Sequence, residues 1–105
     1  MSPLNQKKLV KLRKELDKLD ISLINIIKRR SIIVNDVLKL KDYKNQIIDK
    51  KRIKEILKQI KQKSIKKNID PKITKRIWTN MIYAFIDFEK RNFKKKIPIN
   101  LPKNL

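Results

Sequence analysis

An apolar heptad runs through the first 40 residues and restricts the fold more than any other feature of the sequence. Side chains recur at alternating steps of four and three residues, the spacing of a helix seam that packs against another helix. The positions are Leu12, Leu16, Leu19, Leu23, Ile26, Arg30, Ile33, Val37 and Leu40, all apolar except Arg30. No proline lies between residues 3 and 71, and the chain has no glycine. The sequence therefore predicts one long N-terminal helix over residues 5–42.

This predicted helix is longer than the diameter of a domain of this size. It would extend roughly 57 Å at a rise of 1.5 Å per residue, whereas a compact chain of 105 residues is roughly 33 Å across. Much of its apolar seam would then stay uncovered within one chain. We therefore expect a second subunit to cover it, which gives an intertwined helical homodimer.

Two shorter helices are predicted after the polar stretch "KDYKNQ". Asp49 is a suitable N-cap for a second helix over 49–68. Asp70 followed by Pro71 marks the start of a third helix over 70–93. The segment 94–105 has two prolines and no periodicity, so we expect a loosely ordered tail. The prediction is an all-α, three-helix chain that forms a single domain over 1–105.

The residue inventory excludes several kinds of chemistry. Without cysteine, histidine or glycine, the chain cannot build thiolate or imidazole metal sites, Ser-His nucleophiles or glycine-rich phosphate loops. We expect neither a metal nor a cofactor. The start of the chain is lysine-rich and polar, and no stretch approaches the roughly 18 apolar residues of a membrane span. We expect a soluble cytoplasmic protein without a membrane partner.

The formal net charge of +20 leaves two interpretations open. Such an excess often serves to neutralise phosphates, so a basic helical nucleic-acid-binding protein is one alternative. Lysine is however used in loops and on predicted core faces alike, as a general compositional bias would also produce. We therefore do not expect nucleic acid as a partner. Either way, the positive field attracts small anions.

The charge on the seam at Arg30 has structural explanations: the seam could splay there, the side chain could extend to solvent, or the charge could fix register. A purely structural coiled coil would nevertheless gain nothing from its neighbour Lys41, which projects from nearly the same helix face about 16 Å further along. Arg13 points about 100° away from Arg30. It is better placed for a different site, which in a dimer could be the partner's.

Three segments together resemble the small all-helical chorismate mutases, which are intertwined homodimers of three-helix chains. They are "LRKELDKLDISLINIIKRRSIIVNDVLKLK", "IIDKKRIKEIL" and "IDPKITKRIWTNMIYAFIDFE", and the resemblance covers residues 9–93. It implies conversion of chorismate to prephenate in aromatic amino-acid biosynthesis. That Claisen rearrangement needs no nucleophile, metal or proton transfer, so it suits the inventory. An enzyme accelerates it by holding the folded conformer of the dianion and by placing positive charge near the ether oxygen.

The resemblance also assigns roles to individual residues. It implies that Arg30 binds one substrate carboxylate and that Arg13 binds the other in the partner's site, since arginine pairs with carboxylates in a bidentate fork. Lys41 and Glu89 would contact the ether oxygen, and Arg52 would support the carboxylate-binding end. The two remaining positions are Asp49, near the ring hydroxyl, and Phe85 on the third helix. On the residues alone, Asp49 is equally well a simple helix cap.

The sequence departs from the family pattern at three positions. Ile53 stands where the family usually has a glutamate that contacts the substrate hydroxyl, and Phe85 stands where a small hydroxyl residue is common. Glu89 replaces the more common glutamine. Because a carboxylate would repel the developing oxyanion, we expect Glu89 to act as the neutral acid, so that activity rises as pH falls.

The same departures favour a second enzyme. Isochorismate pyruvate lyases share this fold and cationic pocket, lack that glutamate and have aromatic residues on the third helix, as "MIYAFIDFEKRNF" does here. They eliminate pyruvate from isochorismate to give salicylate. The lyase is therefore the alternative to the mutase within the family that this sequence resembles.

Overall fold

The structure is a computed structural model that describes residues 1–95. Three α-helices follow one another in this range: α1 (Pro3–Lys39), α2 (Lys50–Lys66) and α3 (Pro71–Asn92). A single 3-10 turn, Lys44–Gln46, lies between α1 and α2. The structure is 83% helical, and the described part of the chain contains no strand. The all-α prediction with one long N-terminal helix is confirmed.

Both ends of α1 differ from the predicted range of 5–42. The helix begins earlier because the hydroxyl of Ser2 accepts the N–H of Asn5 at 3.2 Å, and Pro3 occupies the first turn, where its missing N–H costs nothing. It ends earlier because the chain tightens: the N–H of Lys41 donates to the carbonyl of Leu38 at 3.1 Å, three residues back. The Ser-Pro pair was therefore a start signal.

The predicted second helix, 49–68, is longer than α2 at both ends. Asp49 is its N-cap, as expected, and Lys67 is its C-cap. Asn68 follows with φ 56°, in the left-handed region, and the N–H of Ile69 donates to the carbonyl of Ser64 at 2.9 Å. This is a Schellman end, in which asparagine takes the position that glycine usually occupies.

The third helix, α3, agrees with the predicted range of 70–93 to one residue at each end. The carboxylate of Asp70 accepts the N–H of Lys72 at 2.9 Å, and Pro71 is in the first turn. The helix ends at Asn92, after which Phe93 is extended. The predicted loosely ordered tail, 94–105, lies outside the described residues from position 96 onward.

Contacts divide the chain into two units, of which the first is Met1–Ile33. Within residues 3–33 this unit is the N-terminal part of α1. Its apolar seam is exposed in the single chain, at 51 to 64% for every apolar member. These members are Leu12, Leu16, Leu19, Leu23, Ile26 and Ile33. The first unit therefore presents an apolar row that the single chain leaves exposed to solvent.

The second unit begins at Val34 and contains a small apolar core where α2 and α3 pack together. Four buried side chains form the centre of this core: Leu38, Ile47, Ile82 and Ile86. Ile53, Ile56, Leu57 and Phe93 pack around them. A buried hydrogen bond of 2.7 Å between the hydroxyls of Ser64 and Thr74 joins α2 to α3.

Ile73 and Ile77 of α3 are apolar but exposed in the single chain, at 55% and 51%. The buried positions of α3 are Thr74, Ile82, Ile86 and Glu89. These positions follow a helical stripe with steps of eight, four and three residues, and Thr74 lies one position beyond the exposed Ile73. The buried face of α3 therefore has polar side chains at both of its ends, Thr74 and Glu89.

The single-domain expectation for 1–105 stays a prediction.

None of the helices in the described range is long and apolar enough to cross a membrane.

Candidate functional site

A buried ion pair joins two of the predicted site residues in the second unit. The ammonium Nζ of Lys41 donates to Oε2 of Glu89 at 2.7 Å, across 48 residues of sequence. The side chains are only 18% and 9% exposed, respectively. A charge-assisted bond in such surroundings is stronger and more directional than one on the surface. The pair therefore fixes where a positive charge lies relative to α3.

The segment after α1 holds Lys41 in place. Leu38, in the last turn of α1, and Ile47 are both buried in the core, at 6% and 4% exposure. Between them, the side chain Oε1 of Gln46 accepts the backbone N–H groups of Asp42 at 2.8 Å and Tyr43 at 2.9 Å. Because the segment is anchored at both ends and hydrogen-bonded within, Lys41 projects from a defined backbone.

Glu89 owes its position to the packed stripe of α3. It lies three residues after Ile86 and seven after Ile82, so it shares their face of the helix. On sequence alone, without the family resemblance, Glu89 would be assigned to the surface. Burial of an acidic residue is rare unless it is paired, and here Lys41 supplies the partner.

Asp49 and Arg52 lie at the start of α2. One carboxylate oxygen of Asp49, Oδ1, accepts the backbone N–H of Arg52 at 3.0 Å. Since a carboxylate has two oxygens with about four acceptor positions, this cap leaves acceptor capacity for a ligand. Arg52 is exposed, and no ion pair holds its guanidinium within residues 1–95. Capping and substrate binding are therefore compatible roles for Asp49.

Ile53 and Phe85 occupy two of the three positions that depart from the family pattern. Ile53 is half-buried and packs against the apolar core. A glutamate there would lose part of its hydration, so the structure gives a packing reason for isoleucine. Phe85 on α3 is also half-buried. Each of the two side chains makes its own position more apolar than the family pattern does.

Arg13 and Arg30 belong to the first unit and are therefore described separately from the Lys41–Glu89 pair. Both lie on α1, where Arg13 is exposed and Arg30 is half-buried. Seventeen residues separate them, which corresponds to about 25 Å along the helix axis. That distance is too long for both guanidinium groups of one α1 to bind the same small molecule.

An open cavity of about 1020 Å³ surrounds the segment between α1 and α2. Two predicted site residues, Lys41 and Asp49, line it. The other lining residues are Lys44, Asn45, Gln46, Ile48, Lys50 and Lys90. The three additional lysines were not predicted. Nothing in the sequence distinguishes them, because lysine is common in every segment of a chain with a net charge of +20.

No metal site is apparent among the residues the structure describes, since no group of three or more acidic side chains could hold an ion there. The cavity offers instead ammonium groups, amides and one carboxylate. Such a set binds small anions by charge and by hydrogen bonding. It supplies no nucleophile of the Ser-His or Cys-His kind.

A scan against protein families gives one decisive match. The family model for chorismate mutase type II matches residues 12–90, about three quarters of the chain. The chain belongs to the chorismate mutase type II family. The matched range extends from the apolar seam of α1 to Glu89 and Lys90 on α3. The predicted family resemblance is thereby confirmed.

Searches of curated proteins and of solved structures return no match. Members of the chorismate mutase type II family are chorismate mutases, which are isomerases. The match therefore supports a chorismate mutase or a close relative as the general activity of this chain. The individual residues of the site determine whether the chain catalyses the mutase reaction or the reaction of a close relative.

Proposed function

We propose that this protein is a chorismate mutase that converts chorismate to prephenate. The observation that carries the proposal is the Lys41–Glu89 pair at 2.7 Å, since both residues occupy the positions that contact the ether oxygen in the family pattern. In the rearrangement, the ether C–O bond breaks as a new C–C bond forms within the same molecule. No atom, proton or electron is exchanged with the protein.

The catalytic contribution would come from positive charge and from conformer selection. As the C–O bond breaks, the ether oxygen becomes more negative, and the ammonium of Lys41 would stabilise it. Arg30 would bind one carboxylate of the substrate, and the partner subunit's Arg13 would bind the other. Arg52, Asp49 and Phe85 would complete the pocket. Holding both carboxylates would keep the flexible dianion in its reactive, folded form.

The proposed site needs a second copy of the chain, and the exposed seam of α1 supports such a dimer. Burial of each half-exposed leucine or isoleucine contributes about 1 kcal/mol. Two copies of the six-residue row would together contribute on the order of 10 kcal/mol toward offsetting the cost of association. We expect a homodimer in sedimentation experiments and a shift to monomer in a Leu19→Glu variant.

Mixing of two inactive variants tests whether Arg13 acts in the partner's site. We expect Arg13→Ala and Arg30→Ala to be inactive alone. When they are unfolded together and refolded, about half of the dimers are mixed, and one site in each contains both arginines. About a quarter of the wild-type activity should then return. If Arg13 served the site of its own subunit, mixing would restore no activity.

The direct test of the proposed function is product analysis. Purified protein is incubated with chorismate and, separately, with isochorismate, and the products are identified by chromatography, with Arg30→Ala as the control. Prephenate from the wild type but not from the variant supports the mutase. No product from either substrate would overturn the proposal and make nucleic-acid binding the next activity to test.

The lyase is the second candidate, and the packing of Ile53 into the core favours it. That packing leaves no acidic side chain at the position where mutases of the family have a glutamate. Half-buried Phe85 supplies an aromatic ring on α3. Formation of salicylate and pyruvate from isochorismate, without prephenate from chorismate, would assign the chain to the lyase.

A further inference from the structure

The cavity at the segment that connects α1 to α2 carries positive charge that the proposed reaction does not use. Besides Lys41 and Asp49, its lining contains Lys44, Lys50 and Lys90, which we call the lysine rim. Within residues 1–95, no side chain of the rim forms an ion pair or a hydrogen bond. The rim therefore has three ammonium groups available for a ligand.

Each rim lysine projects from ordered backbone. Lys44 begins the 3-10 turn, which Gln46 stabilises through two hydrogen bonds to its side chain. Lys50 is the first residue of α2, directly after the N-cap Asp49. Lys90 directly follows the buried Glu89 on α3. Because three separate elements place the lysines around one cavity, the rim is defined by the fold of the second unit.

The rim, and not Lys41, dominates the electrostatic potential at the cavity opening. The charge of Lys41 is compensated by the carboxylate of Glu89 at 2.7 Å, so at longer range the pair acts as a dipole with a weak field. Among the remaining lining residues, three lysines face a single acidic residue, Asp49. An anion approaching the cavity is therefore attracted chiefly by the rim.

We propose that the lysine rim binds dianionic ligands and selects them over monoanions before they reach the Lys41–Glu89 pair. This inference rests on the proposed function, since it makes the rim a specificity determinant of the same site. Attraction to the rim scales with ligand charge, so a dicarboxylate gains about twice as much as a monocarboxylate. The rim touches no reacting bond and acts on binding.

The kinetic test compares two triple variants with the same loss of charge. The rim variant is Lys44→Gln/Lys50→Gln/Lys90→Gln. The matched control is Lys58→Gln/Lys61→Gln/Lys72→Gln, whose lysines line a separate groove of about 440 Å³ between α2 and α3. In about 10 mM salt, where screening is weak, we expect the rim variant to lose about tenfold in kcat/KM, through KM. The control should lose about twofold or less.

Salt provides a second criterion for the same pair of variants. In about 0.5 M salt, charges more than a few ångströms apart are screened. The difference in kcat/KM between the rim variant and the control should then nearly disappear. Equal losses in both variants at low salt, or a loss that appears in kcat, would overturn the proposal.

A binding test that requires no turnover separates this inference from the proposed function. Wild-type protein is titrated with malonate, and with acetate at matched ionic strength, while backbone amide shifts are followed by NMR. We expect malonate to shift the amides of residues 41–50 and 90 more than acetate does, and the rim variant to lose these shifts. Equal shifts with the two anions, or shifts spread equally over the groove between α2 and α3, would overturn the proposal that the rim selects dianions.

The two tests can fail independently. Malonate shifts confined to the rim, in a protein that converts neither chorismate nor isochorismate, would leave the rim standing and remove the proposed function. Normal prephenate formation, with the rim variant indistinguishable from the control, would support the proposed function and overturn the proposal for the rim.

Discussion

Replacement of Lys41 by methionine should strongly destabilise the protein, because it leaves the carboxylate of Glu89 without its partner. Methionine keeps most of the side-chain length but removes the charge and the N–H donors of the ammonium group. The Glu89 side chain is 9% exposed, so water can replace the lost ammonium only in part. The effect should therefore appear in the free energy of unfolding, separately from any effect on catalysis.

The distance between the two charges sets the size of the expected loss of stability. At a separation of 2.7 Å and an effective dielectric constant of about 20, two unit charges attract by about 6 kcal/mol before the cost of desolvation is subtracted. Breaking a buried pair by removing one partner typically costs about 3 kcal/mol or more. We expect about 3 kcal/mol for Lys41→Met. The double variant Lys41→Met/Glu89→Gln should recover about 2 kcal/mol of this loss, since it no longer contains an unpaired charge.

The assay is urea unfolding followed by circular dichroism at a fixed protein concentration, because stability depends on concentration if the protein is a dimer. Lys39→Met is the matched control. Lys39 pairs with Asp36 at 3.7 Å, and these side chains are 70% and 65% exposed, so its loss should cost about 0.5 kcal/mol or less. Equal costs for Lys41→Met and Lys39→Met, or no recovery in the double variant, would refute the reasoning.

Three further predictions concern single positions. Glu89→Gln should raise kcat/KM at neutral pH, because an amide can donate to the ether oxygen and no longer compensates the charge of Lys41; an unchanged or lower kcat/KM in the variant would contradict this. Asn68→Gly should raise the free energy of unfolding by about 0.5 kcal/mol, because φ is 56° there and glycine adopts that conformation without strain. Lys67→Gly, at a negative φ, should instead lower it in the same urea assay. Thr74→Val should cost about 1 to 2 kcal/mol by leaving the hydroxyl of Ser64 with one partner fewer, and the loss should be smaller when it is introduced into Ser64→Ala.

The helices were predictable because their signals are local. The periodicity of Leu12 to Leu40 predicts α1, and the caps at Asp49 and Asp70 predict the starts of α2 and α3, all from residues a few positions apart. The end of α1 was predicted too late, since no capping residue marks it and the chain tightens into a different hydrogen-bonding pattern. Boundaries without a side-chain cap are the least visible in sequence.

The candidate site was predictable only through the family resemblance. Lys41 and Glu89 are 48 residues apart in sequence, and no periodicity relates a lysine after one helix to a glutamate near the end of another. The same holds for the lysine rim, whose members come from three elements. The buried face of α3 does not follow from its apolar residues alone, because Ile73 and Ile77 are exposed whereas the polar Thr74 is a buried contact with α2.

The exposed seam of α1 has a consequence for the order in which the protein folds. The core of the second unit joins α2 and α3 through a four-residue connection, 67–70, and short connections of this kind close within microseconds. The row of leucines and isoleucines in Met1–Ile33 has no such local step in the proposed dimer, since its partner is another molecule. Refolding should therefore contain a fast phase, formation of the core of the second unit, whose rate is independent of chain concentration. A slower phase, association of two chains, should have a rate that is proportional to chain concentration. Between the two phases, the six-residue row of the first unit remains exposed to solvent, which is when the chain is most open to aggregation.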